Sequence, residues 1–116
     1  MSARSRDLDR LKIPGSVREV LKEFLARVRD VLGEAEVYLF GSYARGDWLY
    51  DSDLDLVVVS PRFRGLDLGK RHVMVRDLIS SKVSVELLLY TPEEFERVKR
   101  RSTIIRDAMK YWVRLL

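Results

Sequence analysis

The chain has no cysteine and a single histidine, His72, among its 116 residues. Disulfide staples and cysteine-ligated zinc are therefore excluded, and one imidazole cannot build a histidine cluster. The lack of cysteine also fits a reducing cytoplasm, the expected location. No apolar run is long enough to span a bilayer. The polar leader, Met1 to Arg10, lacks the apolar core of a signal peptide. There is no internal repeat and no low-complexity linker. Lys and Arg total 22 against 18 acids, a net charge of +4. That excess suits anionic partners such as nucleotide phosphates, but it is too small to argue for RNA by itself. No RNA-recognition motif with stacking aromatics is present, so a nucleic-acid partner is not expected.

What is present is enough for one ordinary domain. Apolar residues make up 47% and charged residues 34%, a globular balance. Residues 1–15 read as a flexible leader that ends at Pro14-Gly15, and 16–116 as a single domain. Ser16-Val17-Arg18-Glu19 reads as a capping box. The apolar positions that follow, from Val17 to Leu32, have helical spacing, and Gly33 is a fitting stop. Val37–Phe40, Leu54–Val59 and Val83–Tyr90 read as strands. A helix is expected over about 66–81, with Leu68, Val73, Val75, Leu78 and Ile79 on one side. Thr91-Pro92-Glu93-Glu94 is a strong helix start, with Thr as N-cap, Pro at N1 and Glu at N3. The tail from Ser102 reads as a last helix whose end, 112–116, could turn into a short strand. The alternation of strands and helices predicts an α/β (α+β) domain, a mixed central sheet flanked by helices.

The chemistry concentrates in Gly41-Ser42-Tyr43-Ala44-Arg45-Gly46-Asp47 and Asp51-Ser52-Asp53-Leu54-Asp55-Leu56. Asp53 and Asp55, two apart at the mouth of a strand, project from one face, which Val57 and Val59 continue. Two like charges beside an apolar strand are costly, and a divalent cation relieves them. Carboxylate oxygens are what Mg²⁺ prefers. Glu86 interrupts the third strand on the face of Ser84, Leu88 and Tyr90, and a shared metal would pair it. Gly41 permits close backbone approach, Ser42 offers a hydroxyl and an amide for an anion, and Arg45 lies on the next turn.

Two other motifs fail on their own residues. Gly41 and Gly46 have Walker A spacing, but Asp47-Trp48 stands where Lys and Ser or Thr are required. Asp51, Asp53 and Asp55 echo a calcium loop, but Leu56 occupies the position of its Gly and Arg62 that of its Glu.

Gly41-Ser42, ten residues, then Asp53-Leu54-Asp55 resembles the Gly-Ser-x10-Asp-x-Asp signature of the DNA polymerase β-like nucleotidyltransferase superfamily. Gly-Ser-Tyr-Ala-Arg-Gly and Ser-Asp-Leu-Asp-Leu resemble its minimal nucleotidyltransferase (MNT) branch, over roughly residues 16–112. The resemblance implies that Asp53 and Asp55 bind Mg²⁺, two ions in a two-metal site, and that Ser42 holds the NTP phosphates. The family's third carboxylate is usually Asp, and Glu86 stands at that place. The resemblance further implies transfer of AMP from ATP to a tyrosine of a partner HEPN-domain toxin, with the MNT protein as antitoxin. The catalytic and metal set is then Asp53, Asp55 and Glu86, and the nucleotide-binding set Gly41, Ser42 and Arg45. A rival reading is a nucleotide-binding or toxin-capping module without turnover. Whether the chain pairs with itself or with another protein stays open.

Plainer roles compete for several residues. Asp51 reads as a turn residue and His72 as a surface or boundary residue. Glu86 could sit harmlessly on an edge strand, Ser42 could cap a helix, and Arg45 could pair with Asp47 or Asp51. Tyr43 and Trp48 read as packing. Lys70, Arg71 and Lys99-Arg100-Arg101 read as solvated helix faces.

Overall fold

A computed structural model describes residues 3–80 and 83–116. In chain order the elements are α1 (Ala3–Arg10), α2 (Gly15–Val31), β1 (Glu36–Phe40), α3 (Gly41–Arg45), β2 (Leu54–Val59), a 3-10 turn (Pro61–Phe63), α4 (Leu68–Arg76), β3 (Val85–Tyr90), α5 (Pro92–Arg101), α6 (Thr103–Ala108) and β4 (Val113–Arg114). The sheet order is β3-β2-β1-β4. β1 runs antiparallel to β2 and β4, whereas β2 and β3 are parallel and α4 lies in their crossover. This is the mixed, helix-flanked sheet that the strand–helix alternation predicts. Among the described residues no helix is long and apolar enough to cross a membrane.

β2 is the central strand of the design. Leu54, Leu56 and Val58 join the larger core with α2, through Leu21, Phe24 and Val28. Val57 and Val59 point the other way, to Tyr38, Phe95 and Ile105. Burial on both faces explains why its sequence runs apolar instead of alternating. The helical stripe of α2 is buried as its spacing predicts, at Val17, Leu21, Phe24, Leu25 and Val28. Its C-terminus closes at Gly33, whose amide bonds Arg29 O in a positive-φ conformation.

Three local readings differ. The Ser16–Glu19 capping box does not form. α2 already begins at Gly15 with Pro14 as N-cap and no side-chain cap, so Ser16 lies inside the first turn. Instead the Arg18 guanidinium reaches back to Leu8 O and Leu11 O. The leader expected over 1–15 therefore contains α1, with Leu8 buried and Ile13 beneath it. The tail takes the strand alternative at its end: α6 stops at Ala108, and β4 pairs with Tyr38 and Leu39.

The last difference is the face of α4. Leu68 and Val73 are each 65% exposed, while Arg71 is 7% exposed. The inward stripe runs Arg71, Val75, Leu78 and Ile79, a spacing that leaves Val73 on the opposite side, and Leu68 is exposed at the first position of the helix. Ser81, the end of the expected helix, lies outside the described residues. Arg71 is thus no solvated residue. It donates to Leu66 O at 2.9 Å, to Leu89 O at 3.3 Å and to both Glu94 oxygens at 2.6 and 3.2 Å. Glu94 also accepts from the Thr91 amide, and the Thr91 hydroxyl accepts from the Glu94 amide, the capping box read from the sequence. The guanidinium holds the Glu94 carboxyl below its ordinary range. One carboxylate thus ties α4, β3 and α5 together.

Glu94→Ala should cost about 3 kcal/mol, because it strands a buried guanidinium and removes half a capping box. Glu93→Ala, which breaks only the exposed pair with Arg64, should stay within about 0.5 kcal/mol. Urea midpoints of the two variants check the contrast.

Candidate active site

The strand register assembles the carboxylates. Phe40 of β1 stands opposite Asp55 of β2, and Asp55 stands opposite Glu86 of β3. The three therefore share a face across three strands. Asp53, two residues before Asp55, is exposed just outside β2. Below this row the same face continues as Tyr38, Val57 and Leu88, the second core. The acids thus stand where the apolar face ends. Glu86 is exposed and lies on β3, an edge strand, as its alternation requires.

At the end of β1 the chain turns straight into α3. Gly41 makes that turn at φ +74°. A Cβ there would collide with Asp55 Oδ2 and lie 2.8 Å from its Cγ. Only glycine lets the backbone pass the carboxylate at this distance, so the sequence's Gly and its second Asp are one contact in space. Ser42 follows, half-buried at the second position of α3. It is not the cap: that position is Phe40, and no side chain caps the helix. The turn that faces Asp55 thus carries amides and the Ser42 hydroxyl with no capping carboxylate among them.

The electrostatics record crowding of like charges. Burial first, then a hydrogen bond with Glu86 and the charges of Glu86 and Asp53, push the Asp55 carboxyl up to about 6, against the opposing pull of Arg45. The Tyr43 phenol is likewise raised, by burial and then by the charge of Asp53. Among the described residues no Lys or Arg forms an ion pair with Asp53, Asp55 or Glu86. Nor are three such acids already drawn together as metal ligands among those residues. The donor set nonetheless fits Mg²⁺. It is hard carboxylate oxygen, part-buried at Asp55, without an ion pair among the described residues, and set against the backbone of Gly41.

The flanking residues divide. Arg45 bonds Asp47 at 3.2 Å, as one sequence reading expected, and also the Tyr111 hydroxyl at 3.1 Å, with its guanidinium 5.3 Å from that ring's centre. Sequence reasoning did not find Tyr111, which lies 66 residues away, and nothing in local spacing signals it. Tyr43 and Trp48 stack on each other, with the Trp48 indole bonded to Lys12 O at 2.8 Å. Asp51 is exposed in a turn.

Comparison with known proteins points the same way. A candidate protein adenylyltransferase of Methanocaldococcus jannaschii is 36% identical over 67 residues, 54% of this chain and 44% of that protein. A second one from the same organism is 28% identical over 88 residues, 74% of this chain and 86% of that protein. The chain thus spans less than half the length of the first relative and most of the second. Among solved structures, a candidate nucleotidyltransferase of Sulfolobus solfataricus matches 85% of this chain and 84% of its own, with a TM-score of 0.59 at 27% identity. A toxin–antitoxin structure with AMP-PNP matches 82% of this chain and 71% of its own, with a TM-score of 0.59. At 23% identity, that likeness is one of fold. The nucleotidyltransferase domain model matches residues 17–112, from the first buried turn of α2 to the aromatic that precedes β4, and the chain belongs to that family.

Proposed function

We propose that the chain is a Mg²⁺-dependent nucleotidyltransferase that transfers AMP from ATP to a tyrosine hydroxyl of a HEPN-domain toxin, as its antitoxin. The observation that carries this reading is the row Phe40–Asp55–Glu86 with Gly41 pressed against Asp55. It brings the amides of the α3 turn and an acid cluster without an ion pair among the described residues to one place. The antitoxin role and the tyrosine acceptor rest on the family resemblance.

Asp53, Asp55 and Glu86 would hold two Mg²⁺ ions, which supply charge neutralisation for the attacking and leaving oxygens of an in-line displacement. The α3 turn at Gly41-Ser42 receives the triphosphate through backbone amides and the Ser42 hydroxyl. Arg45, held by Asp47 and Tyr111, faces the same acids and steadies the phosphate charge. Glu86, exposed at the sheet edge, is open to an incoming acceptor and would take its proton. Pyrophosphate leaves from the side of α3.

A second reading, a nucleotide-binding or toxin-capping module without turnover, draws on the same exposure of Glu86, since an acid open to water holds a cation less firmly. An Asp53→Ala, Asp55→Ala double variant that still neutralises its toxin would favour it.

Under the transfer reading, Asp53→Ala or Asp55→Ala should lower AMP transfer at least about 1,000-fold, read as the partner's mass gain of one AMP. Transfer by either variant at the wild-type rate would sink the assignment.

Gly41→Ala forces both a disfavoured φ and a collision with Asp55. It should abolish Mg-ATP binding in calorimetry and lower stability by about 2 kcal/mol.

The pH dependence follows from Asp55. Its folded value of about 6 lies above the ordinary 3.8, so the fold favours the protonated form. That contribution is complete below pH 3.8 and is lost as pH rises through about 6. Without divalent cations the melting temperature should fall across this window. Solvent screening of the part-exposed carboxyl limits the effect to about 1 kcal/mol, or roughly 5 °C. Asp55→Asn should flatten the profile, and Mg²⁺ should restore the loss in the wild type above pH 6.

A further inference from the structure

Tyr50 is at odds with the rest of the aromatic inventory. The chain has five tyrosines, and the other four are engaged. Tyr38 stacks on Trp112 and donates to Glu36. Tyr43 stacks on Trp48, and its hydroxyl donates to Ser52 O at 3.4 Å. Tyr90 stacks on Phe95, and the Tyr111 hydroxyl accepts from Arg45. Tyr50 is 101% exposed, beside Leu49 at 70%.

This exposure is held by structure. The Ser52 amide donates to Leu49 O at 3.0 Å, and the Leu49 amide donates to Ser52 Oγ at 2.7 Å. Leu49–Ser52 is therefore a closed four-residue turn with Tyr50 at its second position. The Tyr43 hydroxyl anchors the turn from beneath through Ser52 O. Asp53 comes directly after it. The phenol is thus displayed to solvent on a closed turn three residues before Asp53. A tyrosine wholly exposed on a closed turn is open to the site of a second molecule.

We infer that Tyr50 is a self-modification site: one copy of the chain transfers AMP from Mg-ATP to the Tyr50 hydroxyl of another. The inference rests on the proposed transferase reading and adds an acceptor to it. In the step, Tyr50 Oη of the acceptor copy bonds to the α-phosphorus, and the bridging bond between the α- and β-phosphates breaks. Pyrophosphate leaves, and the phenol proton passes to Glu86 of the acting copy and then to water. The product is a phosphodiester of AMP and tyrosine, with no oxidant or reductant required.

The test incubates the full chain alone with Mg-ATP and follows intact mass and peptide maps. The expected result is a gain of one AMP on Tyr50, with an initial rate that rises with the square of chain concentration at low occupancy. A mixture of Asp53→Ala and Tyr50→Phe chains separates donor from acceptor. The label should appear on the Asp53→Ala chain, with none on Tyr50→Phe, and neither variant alone should label. Label on Tyr50→Phe, or on another residue, overturns the assignment. Label at Tyr50 of the wild type with none on the Asp53→Ala chain in the mixture overturns transfer between copies. Binding of a non-hydrolysable ATP analogue with Mg²⁺ is measured alongside. If wild type binds it, Asp53→Ala does not, and no label forms on Tyr50, the inference fails and the transferase reading stands. If wild type binds no nucleotide, both fail.

Discussion

The site depends on how closely the backbone at Gly41 passes the carboxylate of Asp55. That contact exists only in one strand register, the one that sets Phe40 opposite Asp55. A slip of one residue would turn Asp55 into the larger core and bring Leu54 and Leu56 out of it. Apolar burial on both faces of β2 forbids the slip, since Leu54, Leu56, Val57 and Val58 are each at most 1% exposed. The hydrophobic core thus does more than stabilise the sheet. It sets the position of a charged group that the core itself disfavours, and Asp55 carries that conflict as a carboxyl raised to about 6.

Much of this was legible in the sequence because the signals are local. The strands, the stripe of α2 and the Thr91 capping box follow from spacing and from residue types that act on their immediate neighbours. Gly41-Ser42 and Asp53-x-Asp55 were legible as a pair through their fixed offset. That Gly41 touches Asp55, and that Glu86 lies beside Asp55 in the next strand, are facts of pairing register, which alternation alone cannot supply. Arg71 shows the limit most clearly. A helix pattern counts arginine as polar and outward, yet its partner Glu94 lies 23 residues ahead, and burial becomes favourable only once both meet. Arg45 and Tyr111 follow the same rule across 66 residues. The Ser16 box failed for a different reason: the helix started two residues early, with Pro14 as its cap, and a cap is useful only at the boundary.

β3 carries the contrast that separates structural charge from functional charge in this molecule. At its C-terminal end Arg71 and Glu94 satisfy one another, while Arg71 donates to the strand's Leu89 carbonyl and Glu94 closes a helix cap. That charge is neutralised within the fold and asks for nothing outside it. At the N-terminal end Glu86 stands beside Asp55, with no ion pair to a Lys or Arg among the described residues, in a chain whose net charge is +4. Cations are plentiful, so the lack of one here is not a matter of supply. An acid cluster left without an ion pair among the described residues, with the Asp55 carboxyl raised to about 6, is the feature on which the proposed binding of a cation rests. On the proposed reading, a divalent cation carrying a phosphate chain would relieve the repulsion among these acids.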